Sequence, residues 1–218
     1  MAGESRTDVL LRPIGNPLPL AFFALAVGTL TLSALQLGWI PAGERGDVAL
    51  VLIAFVFPLQ IVAAVLAFLA RDGSVGAGIG LISASWLVVG LVTLTSPPGS
   101  TSDALGIFLL ALALQLTGPV LSSLSTKTLA SVVLGGALLR FAITAVFELT
   151  ASGGWEDVAG IVGVALFVLA FYGGLAFELA DLYQGLGPLP VGRAASGYPV
   201  VPSGSEHPER EPGVRPLL

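Results

Sequence analysis

The residues of this sequence that could do chemistry are few, and four of them sit where charge is expensive. Arg140, Glu148, Glu178 and Asp181 are the charged residues inside its long apolar stretches. An arginine at the centre of a bilayer costs about 2.5–3.5 kcal/mol on insertion scales, so Arg140 must face protein or water and find a partner. The chemistry it offers is attraction of an anion; Glu178 and Asp181 offer a proton relay. At about 1.5 Å of rise per residue, Arg140 and Glu178 stand roughly 16 and 8 Å from the same membrane edge. Helical side chains lean toward their own N-terminus, so on antiparallel neighbours these two lean toward each other. The expectation is an intramembrane ion pair, either purely structural or part of an anion and proton path. Glu148, one turn from its helix end, is expected to reach water.

The neutral polar residues form a second set. Pro58 deprives its helix of the hydrogen bond to the carbonyl of Ala54, and Gln60 stands two residues on, able to satisfy that carbonyl or to line a pathway. Pro119 near Gln115 and Thr117 repeats the pairing, and two such kinks would make a wet seam. At the start of the first apolar stretch, Asn16 suits an N-cap and Pro17 and Pro19 suit the first turn. That is either a rigid helix start or a vestibule offering helix-dipole charge to an anion.

What is missing is as informative. The chain has no cysteine and a single histidine, His207, in a Pro-rich tail. No paired transmembrane Asp motif, Ser–Lys or Ser–His pair, or metal-ligand cluster can be assembled from these residues. The expectation is a non-enzymatic protein with no metal and no cofactor. Nor does any basic cluster suggest nucleic acid as a partner.

The elements that must position these groups follow from composition. Of 218 residues, 55% are apolar and 11% charged, with a net charge of −5, and the mean hydropathy is +0.93. Soluble domains carry about 25% charged residues. Six stretches, 18–40, 48–70, 75–95, 104–124, 129–149 and 158–183, hold the apolar residues. Each meets the roughly 20 residues needed to cross about 30 Å of hydrocarbon. Open strands would leave backbone groups unpaired in lipid, so all six are read as helices. The fold class predicted is an all-α integral membrane protein: a polar lead over 1–16, a six-helix domain over 17–183, and a Pro/Gly-rich tail over 184–218, disordered past about Gly192. The first stretch lacks a small-x-small cleavage site and is read as a retained helix with Trp39 at the interface. Placing the N-terminus inside puts Arg6, Arg12, Arg71, Lys127, Arg193, Arg210 and Arg215 on the cytoplasmic side and only Arg45 opposite, which predicts cytoplasmic termini in a multi-pass protein of the plasma membrane.

Several patches resemble one family. Asn16-Pro17-Leu18-Pro19-Leu20 resembles the Asn-Pro-Ala-Pro-Leu-Gly-Leu signature of the acetate uptake transporter family, which includes bacterial succinate–acetate permeases and fungal acetate transport or ammonia-production proteins. Gln60 to Trp86 is similar to the family's second and third helices. Glu178-Leu179-Ala180-Asp181, followed by Gly185 and Leu189-Pro190-Val191-Gly192, is similar to its Glu-x-x-Asn…Gly…Leu-Pro-x-Gly ending. The resemblance implies a six-helix protomer with its own pathway, assembled as a hexamer and moving small monocarboxylates, often with protons; Asn16, Pro17, Pro19, Gln60 and Glu178 are the positions carried over. The chain departs from the pattern at Leu18, at Ala21-Phe22, and at Leu25 and Ile82, which stand where the family has Phe and Tyr at its pore constriction. It departs again at Arg140, in a fifth helix that is usually apolar there.

Taken together, these readings predict a membrane transporter or channel for a small organic anion, acetate-like and optionally proton-coupled, in a helical homo-oligomer. Asn16, Pro17, Pro19, Leu25, Gln60, Ile82, Gln115 and Arg140 would line its path, with Glu178 and Asp181 as a proton relay or ion pair. Two alternatives stand beside it. One is a channel for ammonia or another small neutral solute, with Arg140 only structural. The other is a transport-incompetent subunit or scaffold that keeps the fold.

Overall fold

The structure, a computed structural model, describes residues 15–124, 126–183 and 188–192. Six helices are long and apolar enough to cross a membrane: α1 Leu18–Gln36, α2 Ala42–Leu69, α3 Gly73–Thr95, α4 Asp103–Ser123, α5 Thr128–Thr150 and α6 Gly153–Leu182. The described residues contain no strand. Short turns join successive helices, so they run antiparallel, and each packs on its neighbours in sequence. Extensive packing of α1 on α6 then closes the six into a ring. Small residues permit that closure. Phe22 and Phe23 of α1 lie over Gly173 and Gly174 of α6, where an added Cβ would come within 2.9 and 2.8 Å of the two rings.

Element boundaries shift from the sequence reading at specific places. α6 begins at Gly153, five residues before the apolar stretch at 158, because Glu156 sits in its first turn, where acidic charge complements the helix dipole. α1 ends at Gln36: Gly38 takes φ +69°, and the N–H of Trp39 bonds back to the Ala34 carbonyl at 2.8 Å. Within α2, a π turn over Leu52–Val56 precedes Pro58, with Phe57 N–H reaching the Leu52 carbonyl. A missing donor at Pro58 is met by this widened turn, and π turns recur at functional sites.

The two ends of the ring differ. At the end holding the start of α1 (hereafter the N-end), Asn16 Oδ1 accepts from Leu18 N–H at 3.1 Å, and its Nδ2 donates to Asp181 Oδ1 at 3.4 Å. Lys127 and Asp72 form an ion pair there between two turns. Residues 188–192, ahead of the disorder predicted past about Gly192, fold back on the bundle. Tyr172 Oη donates to the Pro190 carbonyl at 2.9 Å, and Val191 is buried. Residues 1–14, 184–187 and 193–218, including His207 and the remainder of the predicted tail, lie outside the described residues. The opposite end, with exposed Trp39, holds the turns 37–41, 96–102 and 151–152.

Candidate functional site

The site begins with Arg140, near the middle of α5 and only 2% exposed. Its guanidinium reaches toward the Trp39 end. Nη1 donates to Ser33 Oγ at 2.9 Å and to the Ala159 carbonyl at 2.8 Å, and Nη2 donates to Gln36 Oε1 at 3.0 Å. The charge thus bridges α5 to α1 and α6 through neutral partners. Gly163 makes room for it: a Cβ there would lie 1.3 Å from Arg140 Nη1 and 2.0 Å from Ser33 Oγ.

Arg140 lines a cavity of about 190 Å³ toward the Trp39 end, together with Leu32, Gln36, Trp86, Val89, Thr93, Phe141 and Thr144. Arg45, Glu148 and Glu156 also line it. Two of these belong to the loop framework. Arg45 Nε and Nη1 donate to the carbonyls of Thr93 and Pro97 at 3.0 and 2.6 Å, while Glu148 Oε2 accepts from Ser102 N–H at 2.8 Å. Trp86 is buried, and its ring packs where α1 and α2 approach, beside Gly28 and Val56. The indole Nε1–H has no hydrogen-bond partner.

Toward the N-end from Trp86 the interior is mostly apolar, with Ser83 and Ser85 buried there and bonded to the Phe57 and Ile82 carbonyls. Leu25 and Ile82 are buried at 2% and 1% exposure, each about one turn from the Gly28–Trp86 contact along its own helix. A further turn on, Gln60 Nε2 donates to the Ala21 carbonyl at 3.0 Å, while its Oε1 is buried without a partner. The proline effect on α2 therefore leads elsewhere than expected. Gln60 bonds to α1 and not to Ala54, and Ser83 Oγ donates to the Phe57 carbonyl at 2.9 Å.

No protein-family model and no curated protein matches this sequence. By structure, the chain is similar to the bacterial acetate channel SatP, with a TM-score of 0.71 and 20% identity over 83% of this chain and 100% of that one. The two share a fold.

On that fold, the structure brings some of the predicted site residues together and separates others. Arg140, Trp86 and Gln36 share the cavity; Leu25 and Ile82 are core residues next to its floor; Gln60 lies beyond them. Asn16 and Asp181 meet at the N-end, and Glu178 is exposed there. The expected Arg140–Glu178 ion pair does not form. Arg140 bonds to Ala159, and 19 residues of helix separate Ala159 from Glu178, about 28 Å at the α-helical rise. A long side chain overrides the lean of its first bond when its acceptors lie the other way. Gln115 and Thr117 are exposed on the outside of α4, so no wet seam forms beside Pro119; Thr117 Oγ1 instead donates to Leu114 O at 2.6 Å.

Sequence reasoning missed Ser33, Gln36 and Gly163. Ser33 and Gln36 stand three apart, a spacing that puts both on one face of α1. That pair of polar residues near the end of an apolar helix was the available signal. Gly163 reads as an ordinary helix-packing residue, since nothing in sequence distinguishes a glycine facing a helix from one facing a guanidinium.

Proposed function

We propose that the chain forms a route across the plasma membrane for a small monocarboxylate, in the size range of acetate. One observation carries this reading: a guanidinium buried within the membrane-spanning bundle, with only neutral hydrogen-bond partners, lines a cavity toward one membrane face. Uncompensated charge there is costly and marks ion pathways. The shared fold with an acetate channel adds support. On this reading an anion enters at the Trp39 end, is held near Arg140 and Trp86, and crosses the apolar Leu25–Ile82 layer to the Gln60 amide and the N-end. Apolar constrictions gate by excluding water. Asp181 and Glu178, at the N-end, are the groups that would exchange a proton there.

The termini are placed in the cytoplasm on the Lys and Arg bias of the loops, and the protomer is taken to assemble with copies of itself. Support for assembly comes from Gln115, exposed midway along α4, because an amide facing hydrocarbon is costly without a partner.

The test is uptake of radiolabelled acetate into proteoliposomes, with and without a pH gradient, for wild type and Arg140→Ala. Saturable uptake lost in the variant supports the route, and stimulation by an acidic source compartment supports proton coupling. Failure of folded wild type to move acetate or any other small carboxylate would overturn it. The buried Leu25–Ile82 layer favours a second reading, passage of a neutral solute, which predicts ammonia flux unaffected by Arg140→Ala.

A further inference from the structure

We infer that Arg140 is seated to take one planar carboxylate side-on, through two parallel hydrogen bonds from its Nε and Nη2 edge, and that Gly163, Ser33 and Ala159 are the residues that set this orientation. The inference rests on the proposed anion route and names how the anion is recognised.

A guanidinium has five N–H donors in a fixed plane. Nη1 gives one bond to Ser33 Oγ and one to the Ala159 carbonyl, and Nη2 gives one to Gln36 Oε1. That leaves the Nε hydrogen and one Nη2 hydrogen without a protein acceptor. Nε and Nη2 share one edge of the plane, the edge that grips a carboxylate with two bonds when Gln36 takes the outer Nη2 hydrogen. The far edge cannot swing round to exchange places. Its Nη1 lies in the notch of Gly163, at 1.3 Å from where a Cβ would be, and both of its hydrogens are used.

Charge points the same way. Among the described residues no carboxylate lies within ion-pair distance of Arg140. The titratable groups sharing the cavity are Arg45, Glu148 and Glu156; Arg45 is bonded to backbone carbonyls and Glu148 to the Ser102 N–H. Glu148 and Glu156 balance the two arginines across the cavity as a whole, but neither pairs with Arg140, so a small anion entering the cavity would be its first direct countercharge.

Binding can be read apart from transport. Trp39→Phe with Trp155→Phe leaves Trp86 as the sole tryptophan, and its emission is followed in lipid nanodiscs, with thermal stability measured in parallel. The expected result is a saturable response and thermal stabilisation by formate and acetate. Chloride at equal ionic strength, and acetamide, the neutral counterpart of acetate, give at least tenfold weaker effects. Arg140→Lys, which keeps the charge and loses the fork, weakens acetate binding at least tenfold in a protein that remains monodisperse. Chloride or acetamide matching acetate in wild type overturns the inference, as does Arg140→Lys retaining full affinity or acetate producing neither signal. The wild-type series decides if the variant does not fold. Acetate binding without flux would overturn the transport reading and leave this site standing; flux without carboxylate-selective binding would do the reverse.

Discussion

The guanidinium of Arg140 occupies the space that any side chain at position 163 would need. A Cβ on Gly163 would fall 1.3 Å from Nη1 and 2.3 Å from Cζ, far inside contact distance. α6 therefore carries its glycine for the sake of a residue on α5, and the hydroxyl of Ser33 on α1 completes the seat. One missing methyl group allows a charge to be held among three helices inside an apolar bundle.

Gly163→Ala should accordingly be costly for so small a change. Overpacking of this kind costs about 1–3 kcal/mol, and the guanidinium cannot retreat without abandoning Ser33 and the Ala159 carbonyl. The expected outcome is a lowered melting temperature in detergent and uptake reduced at least tenfold. Gly135→Ala is the control, since no atom lies within 4 Å of its Cβ position. Equal behaviour of the two variants would remove Gly163 from the site.

The contrast between these glycines shows what could be read from sequence. Six helices were legible because apolar runs of the required length are a property of composition, independent of how the helices rotate. The rotational phase of three helices was not. Ser33, Gln36, Arg140 and Gly163 meet only after α1 closes on α6, and that long-range packing depends on Phe22 and Phe23 fitting glycines about 150 residues away. The axial lean of Arg140 predicted the wrong partner because helix geometry fixes Cβ, whereas available acceptors fix the end of a long side chain. Leu25 and Ile82, by contrast, are both placed in the interior beside Trp86, where their apolar character sits without conflict.

Gln60→Met separates pathway function from stability. Wild-type Gln60 gains one hydrogen bond, to Ala21 O, worth about 0.5–1.5 kcal/mol net, and carries a buried Oε1 with no partner. Methionine fills similar space and removes both terms, so the melting temperature should change little. Uptake should nevertheless fall about tenfold, a loss of ~1.4 kcal/mol of barrier lowering, because the amide beyond the apolar layer no longer replaces carboxylate hydration. Unchanged uptake would make Gln60 a packing residue.

Ile82→Ala thins the apolar layer itself. Truncation of a buried aliphatic residue to alanine costs about 2–5 kcal/mol in soluble cores, so stability should drop measurably. Flux of acetate should rise several-fold, with larger carboxylates such as butyrate admitted, if this layer is the barrier. A variant that is less stable yet moves solutes no faster would locate the barrier elsewhere, and the same comparison with Leu25→Ala checks the other side of the layer.

The outside of α4 makes a separate prediction. Gln115 faces outward near the middle of this helix, and Gly118, three residues on, has no atom within 4 Å of its Cβ position. Residues three apart share a helix face, so a polar amide and a site of close approach lie side by side where the surroundings are hydrocarbon. Large apolar neighbours, Leu114 and Leu121, are 66% and 67% exposed and could face lipid or protein equally well; the amide could not, since lipid offers it no hydrogen-bond partner. Small residues with adjacent polar groups are what membrane helices use to associate. Gln115→Leu combined with Gly118→Leu should therefore shift the detergent-solubilised protein from an oligomer toward the protomer by light scattering, with acetate binding at Arg140 unaffected because the cavity lies inside the ring. A wild type that is already monomeric would overturn the assembly reading, and an oligomeric double variant of unchanged mass would assign Gln115 to the lipid face and the interface to another helix.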